Sequence, residues 1–108
     1  MDPTEVNTAR VLRKVREIKS ARKTTKQNRQ NFIDDITDVQ QRLTHLDLHP
    51  EEFASVNEID AYRAFLNRQE DRLNRGIMEF DDKIINYNAR IRRAQFYAPF
   101  DDISLDSD

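Results

Sequence analysis

Three groups of residues have types and spacings that could do chemistry. His45 and His49 are four apart and are followed by Glu51 and Glu52. On one helical face two such imidazoles could ligate a metal ion. Pro50 biases His49 away from helix, however, and the spacing fixes no third ligand, so these read as surface histidines at a turn. The carboxylate pairs Asp34-Asp35 and Asp81-Asp82 lie among other charges. Nothing beside them supplies the low-dielectric cleft that would shift their pKa values. Arg16, Lys19, Lys23 and Lys26 follow a 3-4-3 spacing, and on a helix such a stripe could track phosphates. No aromatic residue interleaves with it, and a solvated helix face is the competing reading. The expectation is a non-enzymatic chain with no catalytic residue, no metal, no cofactor and no small-molecule substrate.

Composition narrows the class further. The chain has 108 residues, of which 37% are hydrophobic and 35% charged, so it forms one apolar-poor domain at most. Its single glycine leaves no material for tight hairpins or a phosphate-cradling loop, which argues against a β-sandwich, a Rossmann unit and a P-loop. The absence of cysteine excludes a disulfide scaffold, a cysteine zinc site and thiol catalysis. No apolar run approaches the ~18 residues of a membrane span. No basic-then-apolar opening suggests a signal peptide, and a cytoplasmic location is expected.

The elements that position these residues are two helices. Asp2-Pro3-Thr4-Glu5 reads as a helix start, with Asp2 as cap, Pro3 at the first helical position and Glu5 three after the cap. From there the apolar residues Val11, Val15, Ile18, Phe32, Ile36, Val39, Leu43 and Leu46 follow the 3-4 spacing of a coiled-coil seam. Ser55-Val56-Asn57-Glu58 is a second capping box. The second seam is Ile59, Tyr62, Leu66, Gln69, Leu73, Ile77, Phe80, Ile84, Tyr87, Ile91, Ala94 and Ala98. The expected fold is all-α: a coiled-coil hairpin of two long antiparallel helices, 3–46 and 56–98, joined by a tip at 47–55. Residues 99–108 are expected as an acidic mobile tail.

The first seam is interrupted, because its positions 22, 25 and 29 hold Arg22, Thr25 and Arg29. The second contains two consecutive spacings of four, from Gln69 through Leu73 to Ile77, a stutter that brackets Gly76. With the pivot taken at Pro50, Thr25 faces Gly76 and Arg22 faces Glu79. Two readings follow. One is an Arg22–Glu79 pair across a loosened seam, with Gly76 tolerated at about 1 kcal/mol relative to alanine. The other is a bend or a notch that docks a partner.

Leu12, Ile33, Phe65, Ile85 and Phe96 lie beside the seams. The same facing rule puts Ile33 level with Phe65, and Leu12 level with Ile85. A widened apolar stripe is what a helix shows when it meets more than one neighbour. The hairpin is therefore expected to dimerise into a four-helix bundle or to dock lengthwise on a partner protein. Charge is segregated too. Residues 1–30 carry nine Lys+Arg against three Asp+Glu, and residues 31–60 carry one against eight. Such segregation can orient an assembly.

Tyr62-Arg63-Ala64-Phe65-Leu66, followed by Leu73, Ile77 and the charged run to Ile91-Arg92-Arg93-Ala94, resembles the second helix of the hairpin stalk proteins of flagellar and type III secretion export machines. Val11-Leu12-Arg13-Lys14-Val15-Arg16-Glu17-Ile18 is similar to the opening of the secretion-system members. The resemblance implies a non-enzymatic coiled coil that sits at an export ATPase ring and handles export chaperones. The residues themselves support a scaffold, adaptor or chaperone that presents long helical faces to itself or to a partner. The alternative is a nucleic-acid-binding hairpin dimer that uses the stripe from Arg16 to Lys26.

Overall fold

The computed structural model describes residues 3–97, with side chains from 8 to 96. It contains α1 (Pro3–Leu48), a single 3₁₀ turn (Pro50–Glu52) and α2 (Val56–Tyr97). The described residues include no strand. The chain is all-α, a helical hairpin whose two long helices run antiparallel. The expected cap at Asp2, its partner Glu5 and the tail 99–108 lie outside the described residues and side chains.

Helix α1 runs two residues past the expected Leu46. Pro50 restrains only the residue before it. The His49 N–H therefore still donates to the His45 carbonyl at 2.9 Å, and the chain leaves helical geometry only at His49, with φ −131° and ψ 56°. Pro50 then opens the 3₁₀ turn, where its missing N–H costs nothing. The turn closes by Phe53 N–H donating to the Pro50 carbonyl at 3.1 Å. At the start of α2 the Glu58 N–H donates to Ser55 Oγ at 3.2 Å. The Glu58 carboxylate reaches back to the N–H of Ala54, also at 3.2 Å. The capping box is thus present, with its return bond made one residue earlier than the usual Ser55 N–H.

The hairpin divides into two compact units, one built from residues 1–28 with 80–108 and the other from Arg29–Glu79. We call them the terminal unit and the turn unit. In the terminal unit Val15, Ile18 and Ile91 are buried, and Val11, Leu12, Tyr87 and Ala94 pack against them. The seam continues through polar residues: Arg22 is 2% exposed and Thr25 is 7% exposed. Thr25 satisfies its hydroxyl within α1 by donating to the Ala21 carbonyl at 2.9 Å. Arg22 Nη1 donates to Asn88 Oδ1 at 2.8 Å.

In the turn unit Val39, Leu46 and Leu66 are buried. Phe32, Ile36, Leu43, Ile59, Tyr62, Leu73 and Ile77 are half-buried around them. Gly76 faces Phe32, seven residues along α1 from the expected Thr25. Phe32 with Gly76 and Asp47 with Arg63 are centred on residues 54 and 55, so the pivot lies at the start of α2 and not at Pro50. Counting Gly76 as a seam residue restores a 3-4-3 spacing from Leu66 through Gln69 and Leu73.

The backbone of Gly76 is helical, with no positive φ. A side chain is excluded there by packing: an added Cβ would meet Cε2 and Cδ2 of Phe32, the second at 2.8 Å. Alanine should gain about 1 kcal/mol of helix propensity at this site and lose about 1–3 kcal/mol to overpacking. Gly76→Ala should therefore destabilise the hairpin, read as a lower urea midpoint by circular dichroism. In a Phe32→Leu background the same change should become neutral or stabilising. A stabilised single variant would show that the ring moves aside freely.

Candidate functional site

The terminal unit carries a groove of about 320 Å³ between its two helices. Val11, Val15, Ile18 and Ala94 supply its apolar side chains, and Lys14, Arg90 and Arg93 its cations. This arrangement follows from the sequence spacing. Lys14 precedes Val15 and Arg93 precedes Ala94, so each helix places a cation directly beside its seam. Over residues 3–28 and 80–97 there are twelve Lys+Arg against four Asp+Glu, a net of +8. Arg29–Glu79 carries six against eleven, a net of −5. A net charge of −2 for the chain hides both.

The basic stripe is interrupted. Arg16, Lys23 and Lys26 are exposed, but Lys19 is only 7% exposed. Lys19 stands four residues after Val15 and next to Ile18, so it shares the face of α1 that turns inward. Arg10, Arg13, Lys14, Arg92 and Arg93 are exposed cations outside the stripe.

The off-seam apolar residues separate into different environments. Leu12 joins the core of the terminal unit. Ile85 and Phe96 are exposed, at 66% and 80%. Phe65 is half-exposed and stacks on Tyr62, which in turn meets Phe53, with ring centroids 6.5 and 5.7 Å apart. Ile33 is half-buried next to Phe32, hence at the level of Gly76. Phe65 is eleven residues from Gly76 along α2, about 16 Å at the helical rise, so the expected Ile33–Phe65 pair is not brought together. The four residues of the expected weak level fall in different units, Arg22 and Thr25 in one, Gly76 and Glu79 in the other. Sequence reasoning passed over Leu48, Val56 and Met78, all strongly exposed. Met78 precedes Ile85 by one heptad, a spacing that could have marked it.

At the turn His45 Nε2 donates to Glu52 at 2.6 Å, and His49 Nδ1 to Glu51 at 3.1 Å, since an ionised carboxylate only accepts. The imidazole centroids are 4.7 Å apart. Among the described residues no group of three or more acidic or histidine side chains is disposed to hold a metal ion. Arg63 Nη2 lies 2.7 Å from Asp47 and ties α2 to α1. Arg42 is held more firmly protonated than usual by the Tyr62 hydroxyl and by Asp38. No helix among the described residues is long and apolar enough to cross a membrane.

The chain matches no protein-family model, no curated protein and no solved structure.

The Glu51 carboxyl is held below the usual glutamate range, first by its own backbone N–H and then by His49. A depressed folded pKa adds stability above the unfolded value and loses it as pH falls through the folded one. Carboxyl ¹³C titration should place Glu51 below an ordinary glutamate. His49→Gln should raise it part of the way back, leaving the backbone contribution. No change on substitution would remove His49 from the account.

Proposed function

We propose that this chain is a non-enzymatic assembly protein that pairs through an outward face of α2 with a second copy of itself. One observation carries the reading. Ile85 and Phe96 remain 66% and 80% exposed although the terminal unit already has its own core of Val15, Ile18 and Ile91. They are eleven residues apart, three turns of helix, and so return to one face. Single exposed apolar residues are ordinary. Two large ones on one face of a helix whose opposite side is occupied suit a further helix. The small core fits the same reading, since six apolar side chains are buried across the described residues, and a chain that buries so few gains from a partner.

The role would be that of a scaffold, adaptor or chaperone. The narrower reading as an export-machine stalk has the segments Val11–Ile18 and Tyr62–Leu66 as its support. A nucleic-acid-binding role has the net charge of the terminal unit in its favour and the burial of Lys19 against it. The two classes respond oppositely to salt, because phosphate binding weakens steeply and apolar helix packing does not.

Light scattering tests the pairing. Each buried side chain contributes about 1.5–3 kcal/mol, and two-fold symmetry uses each contact twice. The wild type should have the mass of a dimer at tens of micromolar. The double variant Ile85→Glu with Phe96→Glu should stay helical and become a monomer. A variant that keeps the dimer mass removes this face from the interface, and a monomeric wild type overturns self-pairing.

A further inference from the structure

The outward face of α2 carries more than its two large apolar residues. Ile85, Ala89 and Arg92 stand two residues before Tyr87, Ile91 and Ala94, which form or pack on the core of the terminal unit. Two residues are about 200° of helix, so the three lie on the side of α2 turned away from α1. Asp82 and Phe96 extend the same stripe, with spacings of three, four, three and four from Asp82 to Phe96. That is the 3-4 spacing of a second seam. Asp82, Ile85, Arg92 and Phe96 are exposed, and Ala89 is half-buried. Neither Asp82 nor Arg92 makes an ion pair or a hydrogen bond among the described residues.

Two copies can lay this stripe together in either direction. Parallel helices bring each residue to its own equivalent: Asp82 meets Asp82 and Arg92 meets Arg92, and like charges across an interface repel. Antiparallel helices with the two-fold axis at the level of Tyr87 bring together residues equally far before and after it. Asp82 then meets Arg92, and the large Ile85 meets the small Ala89. Symmetry makes each layer twice. Sliding by a heptad either way takes Arg92 off Asp82. The wider positive charge sits mostly on α1, with eight Lys+Arg against two Asp+Glu over residues 3–28, while residues 80–97 of α2 carry four against two. Because α1 packs on the far side of α2, the two α1 helices stay three helix spacings apart, about 25–30 Å. That exceeds the Debye length of about 10 Å at 0.1 M salt.

We infer that the second copy lies antiparallel along α2, with Ile85 against its Ala89 and Asp82 against its Arg92. The inference rests on the pairing proposed above and gives that pairing a direction and a register. Exposed ion pairs are individually weak, so the two charged layers select this alignment, by penalising the parallel one, more than they strengthen it.

A charge exchange on the full chain tests it, read by light scattering over a dilution series. Asp82→Arg alone and Arg92→Asp alone should each weaken the dimer at least about tenfold with helix content unchanged. Both changes in one chain should restore it, and high salt should shrink the differences. In a parallel dimer none of the three variants would differ from wild type. The chain has no cysteine, so cross-linking reads the register directly. Ile85→Cys chains mixed with Ala89→Cys chains should form the mixed disulfide, and neither variant should link to itself, because its equivalents lie out of disulfide reach. Self-linking of either variant, or a dimer indifferent to both charge changes, would overturn the inference and leave the pairing standing. A monomeric wild type would overturn both.

Discussion

The register of a helical hairpin is decided where the chain turns. Every other pairing inherits the lengths of the two helix ends and of the link between them. Here the turn is built from local bonds. Pro50 lets α1 run to Leu48 and then breaks it at His49. Ser55 and Glu58 start α2 by capping its first amides. Between them His45 bonds Glu52 of the 3₁₀ turn, and Arg63 of α2 pairs with Asp47 of α1. These exposed contacts are individually weak. Their effect is geometric: they hold the reversal at residues 49–55.

Inside the seam the chain accepts two polar residues, one satisfied within its own helix and one bonded across to α2. Thr25 bonds back to its own helix, so its buried hydroxyl asks nothing of α2. Arg22 is paired with the neutral amide of Asn88. Burying a neutral polar group without a partner costs about 1–3 kcal/mol by mutational measures, which the Thr25 bond offsets, whereas Arg22 keeps its Nε buried without a hydrogen-bond partner. Stability comes instead from two small apolar clusters, one in each unit.

Much of this was legible in the residues. The 3-4 spacing and the capping box define both helices and their inward faces, because backbone geometry and burial act on neighbouring residues. The sequence-based facing rule failed by a heptad at Gly76, since a proline marks where a helix can break but not how many residues the reversal will use. The same error paired Ile33 with Phe65. Lys19 read as part of an exposed stripe because charge alone was weighed, although its place beside Ile18 put it on the inward side. The groove of the terminal unit could not be read from either seam alone. It needs Lys14 of α1 and Arg90 of α2 brought to one level, a long-range fact that no local spacing contains.

Gly76 and Phe32 add one consequence. Helices with repeating seams can slide past one another by whole heptads and find nearly equivalent packing. Here only one alignment sets the Phe32 ring against a residue with no side chain, since the chain has a single glycine. Any slipped alignment would press that ring onto a Cβ. The contact thus works like a key in a lock: it contributes little area, yet it makes the alternatives worse and leaves the turn unit one way to close.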